Sequence, residues 1–335
     1  MLVITFENSD IFCYNYYGKV IVMEWYHIVL IVLGSLIVLI SILFPFILSY
    51  ILYAIHMVRT SKDKWNRNSS SLDNKEQLDM WNDGLDYIKN YQDKIKEVHI
   101  VNDKLNLYGE YVDIGADRAV IILGGRCECL YYAYHYAKPY LENNCNVLVI
   151  DQRAHGKSDG KINTVGFKES KDLLAWAKLL HDTYNNKQII IHGTCIGGAT
   201  GIHALASKDC PSYINKIIVD GIFRTYYESF KLHMIDQGRP LWPCLDLTFV
   251  IYKLIAKIDA KKQGPITLMD KITQDILFVS SLTDKYVSKE SILELYDKCA
   301  SKNKEYVFLD KGNHSHLRIN QEETYDKIIT DFINK

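Results

Sequence analysis

Neither sign of charge is in surplus: 39 Lys and Arg stand against 40 Asp and Glu. There is no basic field to draw a polyanion, and no nucleic-acid recognition module accompanies it. Cysteine shows no framework. The eight residues (13, 127, 129, 145, 195, 210, 244 and 299) are scattered. Only Cys127-x-Cys129 is close-set, and no second pair or neighbouring histidine completes a tetrahedral metal site. Unpatterned thiols exclude a disulfide scaffold and fit a reducing compartment. No internal repeat divides the chain.

The most informative absence is local. From Trp25 to Met57 there is no Asp, Glu, Lys or Arg, and the centre, IVLIVLGSLIVLISILF, is almost purely aliphatic. About 20 apolar residues span a bilayer, so this run is long enough with tilt to spare, and a proline such as Pro45 is tolerated there. It is too long for the apolar core of a signal peptide, and no small-x-small cleavage site follows it. The run reads as a single membrane anchor. Arg59, Lys62, Lys64 and Arg67 come after it, offset by Asp63 alone, whereas only Lys19 precedes it, among Glu7, Asp10 and Glu24. The positive-inside rule then places the C-terminal part in the cytoplasm.

The chain thus divides into an N-terminal tail (1–24), an anchor (25–57), a polar linker with a short helix at 77–91 (58–92), and a domain over 93–335. With 48% apolar residues, that domain has ample material for one large core. Short apolar runs predict strands at 95–101 and 105–112, joined as a hairpin around Asn102-Asp103, and at 118–123, 146–150, 189–191, 216–219, 276–280 and 305–309. Helical stretches at 166–184, 197–208, 286–301 and 321–333 separate most of them. Alternation of this kind specifies a doubly wound, mostly parallel α/β sheet, with active groups at the carboxyl ends of the strands.

The domain is organised around 188–207, QIIIHGTCIGGATGIHALAS. A buried strand runs into His192-Gly193-Thr194-Cys195-Ile196-Gly197-Gly198 and then into small residues at helical spacing. Strand, Gly-flanked turn and helix make a nucleophile elbow, normally Gly-x-Ser-x-Gly. The glycines are needed because the central residue is strained and neighbouring Cβ atoms would collide with strand and helix. Here the central residue is Cys195. A thiol is the stronger intrinsic nucleophile, and a helix N-terminus stabilises its thiolate. A small buried cysteine in an ordinary glycine turn is the competing reading, which the downstream motifs disfavour.

Four further motifs follow in order. Leu123-Gly124-Gly125-Arg126 ends one strand, and Asp151-Gln152-Arg153-Ala154-His155-Gly156-Lys157-Ser158 ends the next. Ser281-Leu282-Thr283-Asp284-Lys285-Tyr286-Val287 and Gly312-Asn313-His314-Ser315-His316 end the last two. In this order they resemble the α/β-hydrolase superfamily over roughly 105–335, and most of all its membrane-anchored bacterial members related to the serine aminopeptidase-like hydrolases. The resemblance implies an α/β-hydrolase fold with a helical lid, and a triad of Cys195, His314 and Asp284. His316 is the competing base, and His155 is expected to organise its loop. The resemblance also implies an oxyanion hole from the backbone N–H groups of Gly125 and Ile196, each donor worth about 2.7–4 kcal/mol in comparable sites. Leu123 replaces the family's usual histidine and Ser281 its usual glycine.

The segment 221–268 occupies the family's lid position and is rich in aromatics, so Tyr226, Trp242 and Phe249 are the expected walls of an acyl pocket. The function implied is hydrolysis of an ester, thioester or amide on a small-molecule or lipid-like substrate, without metal or cofactor. An acyltransferase using the same acyl-enzyme is the alternative, and a non-catalytic binding protein on the same fold is a third reading.

Overall fold

The computed structural model describes residues 3–7, 10–14, 20–23, 25–67 and 74–335. They form two units, Met1–Ile51 and Leu52–Lys335. In the first, β1 (Val3–Glu7), β2 (Asp10–Tyr14) and β3 (Val20–Met23) pair as an antiparallel meander, which the sequence had left as an unassigned tail. The helix α1 (Trp25–Met57) follows; over Trp25–Ile51 its apolar side chains are largely exposed. It is one helix long and apolar enough to cross a membrane.

The last residues of α1 belong to the second unit, where Leu52, Tyr53 and Met57 are buried. The segment after it does not behave as a free linker. Val58 bridges to Ile162, and Trp65 is buried with its ring stacked on His155 at 4.9 Å. Arg67 pairs with Asp151 (3.0 Å) and Glu110 (3.1 Å). The basic residues read as a topology signal are therefore partly engaged inside the folded domain: Lys64 Nζ donates to the carbonyls of Ala54, Ile55 and Val58 at the end of α1. Such partners exist only after folding, so a signal acting on the nascent chain is unaffected.

After α2 (Lys75–Asn90) the strands are β4 (Ile95–Asn102), β5 (Leu105–Val112), β6 (Arg118–Leu123), β7 (Asn146–Ile150), β8 (Gln188–Thr194), β9 (Ile214–Asp220), β10 (Asp275–Ser281) and β11 (Lys304–Leu309). The intervening helices are α3 (Leu130–Tyr134), α4 (Lys138–Leu141), α5 (Glu169–Asp182), α6 (Ile196–Leu205), α7 (Tyr226–Asp236), α8 (Cys244–Ala256), α9 (Lys289–Lys298), α10 (Leu317–Asn320) and α11 (Glu322–Ile333). The sheet order is β11-β10-β9-β8-β6-β7-β5-β4, and only the β4–β5 and β5–β7 pairings are antiparallel. The β4–β5 hairpin turns on Asp103 and Lys104, both with positive φ, one residue later than expected. That is the conformation a two-residue hairpin turn requires.

The central strands are apolar throughout because both faces are covered. Ile190 and Ile218 point into a core shared with α3, α4 and α11, while Ile191 and Ile217 face Gly201 of α6 on the other side. Alternation along each strand thus divides the side chains between two layers of helices. With the faces sealed, the polar residues collect where the parallel strands end.

Candidate active site

The elbow joins β8 to α6. Cys195 has φ 52° and ψ −111°, a conformation unusual for a residue with a side chain, and its N–H donates to the Asp220 carbonyl at 2.8 Å. A Cβ at Gly193 would lie 2.3 Å from the Gly197 carbonyl carbon, and one at Gly197 would lie 2.4 Å from the Leu123 oxygen. The turn is therefore compressed between β6 and α6 and tolerates nothing larger than glycine at those two positions. Cys195 itself is 8% exposed, at the N-terminus of α6.

The loop after β10 presents Asp284. Its Oδ1 accepts from the N–H groups of Tyr286 (2.7 Å) and Val287 (2.9 Å), which fixes the carboxylate plane. Its Oδ2 lies 2.7 Å from Nδ1 of His314, in the loop after β11. Nε2 of His314 is buried and has no hydrogen-bond partner among the described residues. Burial alone lowers the pKa of this imidazole, but the charges of Cys195 and Asp284, with the hydrogen bond to Asp284, drive it well above the ordinary histidine range. The structure therefore brings Cys195, His314 and Asp284 together. His316 is directed elsewhere, with Nε2 2.7 Å from Gln77 Oε1 and an ion pair to Glu76 at 3.1 Å, both on α2.

Gly221, at the end of β9, has φ 60°, and a Cβ there would sit 3.1 Å from Cε1 of His314. Beside it the Asp220 carboxyl is fully buried, with Oδ2 accepting from Tyr325 O–H at 2.9 Å. Burial pushes its pKa up to about 7, although the Tyr325 hydrogen bond and His314 act the other way.

The loop after β6 carries Gly124, Gly125 and Arg126. Gln152 Nε2 donates to the Gly124 carbonyl (2.9 Å), and Nε2 of His155 donates to that of Arg126 (2.6 Å), so the 151–158 motif holds this loop in place. The Gly125 N–H, expected to face an oxyanion, donates here to Oε2 of Glu128. Ile196 is the first residue of α6, directly after Cys195.

The lid residues separate. Tyr226 is buried within electrostatic range of Cys195. Phe249 is buried in a ring cluster with Tyr226, Tyr227, Phe230 and Tyr252. Trp242 is corrected: it is 84% exposed and forms no wall, because aromatic composition alone does not say which way a side chain points. No cluster of metal-ligating side chains occurs among the described residues, and Cys127, Cys129, Cys145, Cys195, Cys210 and Cys299 are free thiols.

Sequence reasoning missed Glu128, Gly221, the Asp220–Tyr325 pair and the Arg126 side chain. For Gly221 a signal existed in Asp-Gly at a strand end; the others act through contacts that no local spacing encodes.

This arrangement of sheet, elbow and loops defines the class: the chain has the α/β-hydrolase fold. The family model for the alpha/beta hydrolase fold matches residues 118–242. Among particular proteins, the chain is similar to the esterase Pf2001 of Pyrococcus furiosus, with 26% identity and a TM-score of 0.62 over 74% of this chain and 93% of that one. It is 29% identical over 217 residues to the uncharacterized protein YqkD of Bacillus subtilis (strain 168), covering 64% of this chain and 70% of YqkD. The alpha/beta hydrolase domain-containing protein WAV2 of Arabidopsis thaliana is 26% identical over 207 residues, 57% of this chain and 61% of WAV2.

Proposed function

We propose that this chain is a membrane-anchored hydrolase that cleaves an ester, thioester or amide through an acyl-enzyme on Cys195. The observation that carries the reading is the state of His314: one ring nitrogen is fixed on Asp284 and the other has no partner but lies in the field of Cys195. Nε2 of His314 holds the proton drawn from the thiol, Sγ attacks the acyl carbon, and the carbonyl electron pair moves onto oxygen. Collapse breaks the bond to the leaving group, which departs with the proton from His314. Water, deprotonated by the same nitrogen, then attacks the thioester, and the C–S bond breaks to release the acid and restore the thiol. Asp284 keeps the imidazole in the required tautomer throughout. The N–H groups of Gly125 and Ile196 are the proposed oxyanion donors, with Gly125 available once Glu128 has moved away.

Similarity to an esterase at 26% identity supports ester-type substrates. The run of uncharged helix over Trp25–Met57 supports the anchor, and the basic residues after it support a cytoplasmic domain. The test is turnover of 4-nitrophenyl esters of increasing chain length by the full chain in detergent: the wild type is expected to be active and Cys195→Ala inactive. Undiminished turnover by Cys195→Ala removes the proposed nucleophile.

A further inference from the structure

The mechanism above leaves Arg126 without a task. Its carbonyl is held by His155, so the side chain departs from a fixed backbone directly beside Gly125. Among the described residues the guanidinium has neither a hydrogen bond nor an ion pair, whereas every other described arginine has at least one. It is half-buried, within electrostatic range of Cys195, Cys127, Tyr226 and Tyr286. A guanidinium withdrawn from bulk water without an anion loses hydration that nothing replaces.

A second donor lies within its electrostatic range. The Tyr226 hydroxyl is buried, has no partner among the described residues, and lies within range of both Arg126 and Cys195. His233, which also feels Arg126, has its pKa lowered to about 3, by burial first and by neighbouring cations second, and so stays neutral. Among the described residues no carboxylate pairs with the guanidinium fork or the phenol, and these are groups shaped to bind one.

We infer that Arg126 and the Tyr226 hydroxyl form a recognition site for an anionic group, a carboxylate or a phosphate, carried by the substrate. The enzyme then acts on acidic esters, thioesters or amides in preference to neutral ones. This rests on Cys195 as nucleophile, because the anion is placed relative to the acyl carbon that Cys195 attacks.

Three matched comparisons on the full chain in detergent test it. 4-Nitrophenyl hydrogen glutarate and 4-nitrophenyl valerate differ only by carboxylate against methyl. The 4-nitrophenyl ester of 4-phosphonobutyrate replaces the carboxylate by a phosphonate. Valerate esters of 4-hydroxybenzoate and of its methyl ester put the charge on the leaving group instead. At least one charged member is expected to exceed its neutral match by about tenfold or more in kcat/KM, the scale of a charge-assisted hydrogen bond. That ratio should collapse toward one in Arg126→Gln and be partly kept in Arg126→Lys.

No charge preference in any comparison overturns the inference, as does a ratio that survives Arg126→Gln. Equal loss on charged and neutral esters by a variant with an unchanged melting curve assigns Arg126 to the nucleophile, and also overturns it. Glutarate or inorganic phosphate should slow alkylation of Cys195 in the wild type and not in Arg126→Gln, a readout independent of turnover. If Cys195→Ala retains turnover with the charge ratio intact, the nucleophile is misassigned while the anion site stands.

Discussion

The backbone N–H of Gly125 donates to the carboxylate of Glu128 at 2.5 Å, and the other carboxylate oxygen accepts from Gln77 Nε2 at 3.3 Å. The donor proposed for a tetrahedral oxyanion is thus already taken by a side chain of the protein itself. An oxyanion would compete with Glu128 for this one N–H, so on this reading Glu128 withdraws as the reaction proceeds.

Removing that competitor should release the donor. Glu128→Ala is expected to raise kcat/KM on a neutral ester, by up to about 100-fold, the lower end of what one oxyanion donor is worth. A fall of more than tenfold with an unchanged melting curve would show instead that Glu128 takes part in the chemistry.

Cys195 should owe its reactivity to His314. Alkylation by iodoacetamide at pH 7, followed site by site by mass spectrometry, should slow about tenfold or more in His314→Ala and much less in His316→Ala, whose side chain is tied to α2. The reverse order would move the base two residues along the loop.

Phe249 and Trp242 make opposite predictions. Phe249→Ala deletes a buried ring among aromatic neighbours and should cost about 3–5 kcal/mol, seen as a clear drop in melting temperature. Trp242→Ala removes an exposed side chain and should change stability by no more than about 0.5 kcal/mol, leaving the preference among acyl chain lengths as it was. A shift in chain-length preference in Trp242→Ala would restore it to the pocket.

Asp220 links stability to pH. Its folded-state pKa is raised to about 7 from an ordinary carboxyl value near 4, so between those values the folded chain holds a proton that the unfolded chain has lost. Stability contributed by this group is full below about pH 4 and declines as pH rises toward 7. Thermal melts should show Asp220→Asn with a weaker downward trend over that window than the wild type. Parallel trends would mean that the carboxyl does not stay protonated.

Orientation is open to direct measurement. If the proposed orientation holds, protease added to intact cells or spheroplasts should leave the domain whole and digest it after lysis. Digestion without lysis would put the domain on the other side of the membrane.

Much of the fold was legible because the strands 118–123, 146–150 and 276–280 are covered on both faces and so read as unbroken apolar runs. The elbow, Asp284 and His314 were legible because each lies in a short motif at a strand end, where local spacing carries the signal. The choice between His314 and His316 was harder, since both follow β11 and lie two residues apart; what separates them is Asp284 on one side and α2 on the other. Glu128 and Arg126 were in plain view, yet what they do depends on what they meet: Gly125 with Gln77 for Glu128, and for the Arg126 guanidinium no partner among the described residues. Trp242 failed for the same reason, because hydrophobicity reports a preference and packing decides it.

The conformation at Cys195 is held by atoms that are not its own. A β-carbon at Gly193 or Gly197 would overlap backbone, whereas exchanging sulfur for oxygen at Cys195 alters one atom and no dihedral angle. Within the elbow, the position proposed to react is therefore more open to substitution than the glycines around it, which are closed. A lineage carrying this turn can pass between thiol and hydroxyl chemistry in a single step without ever losing its fold.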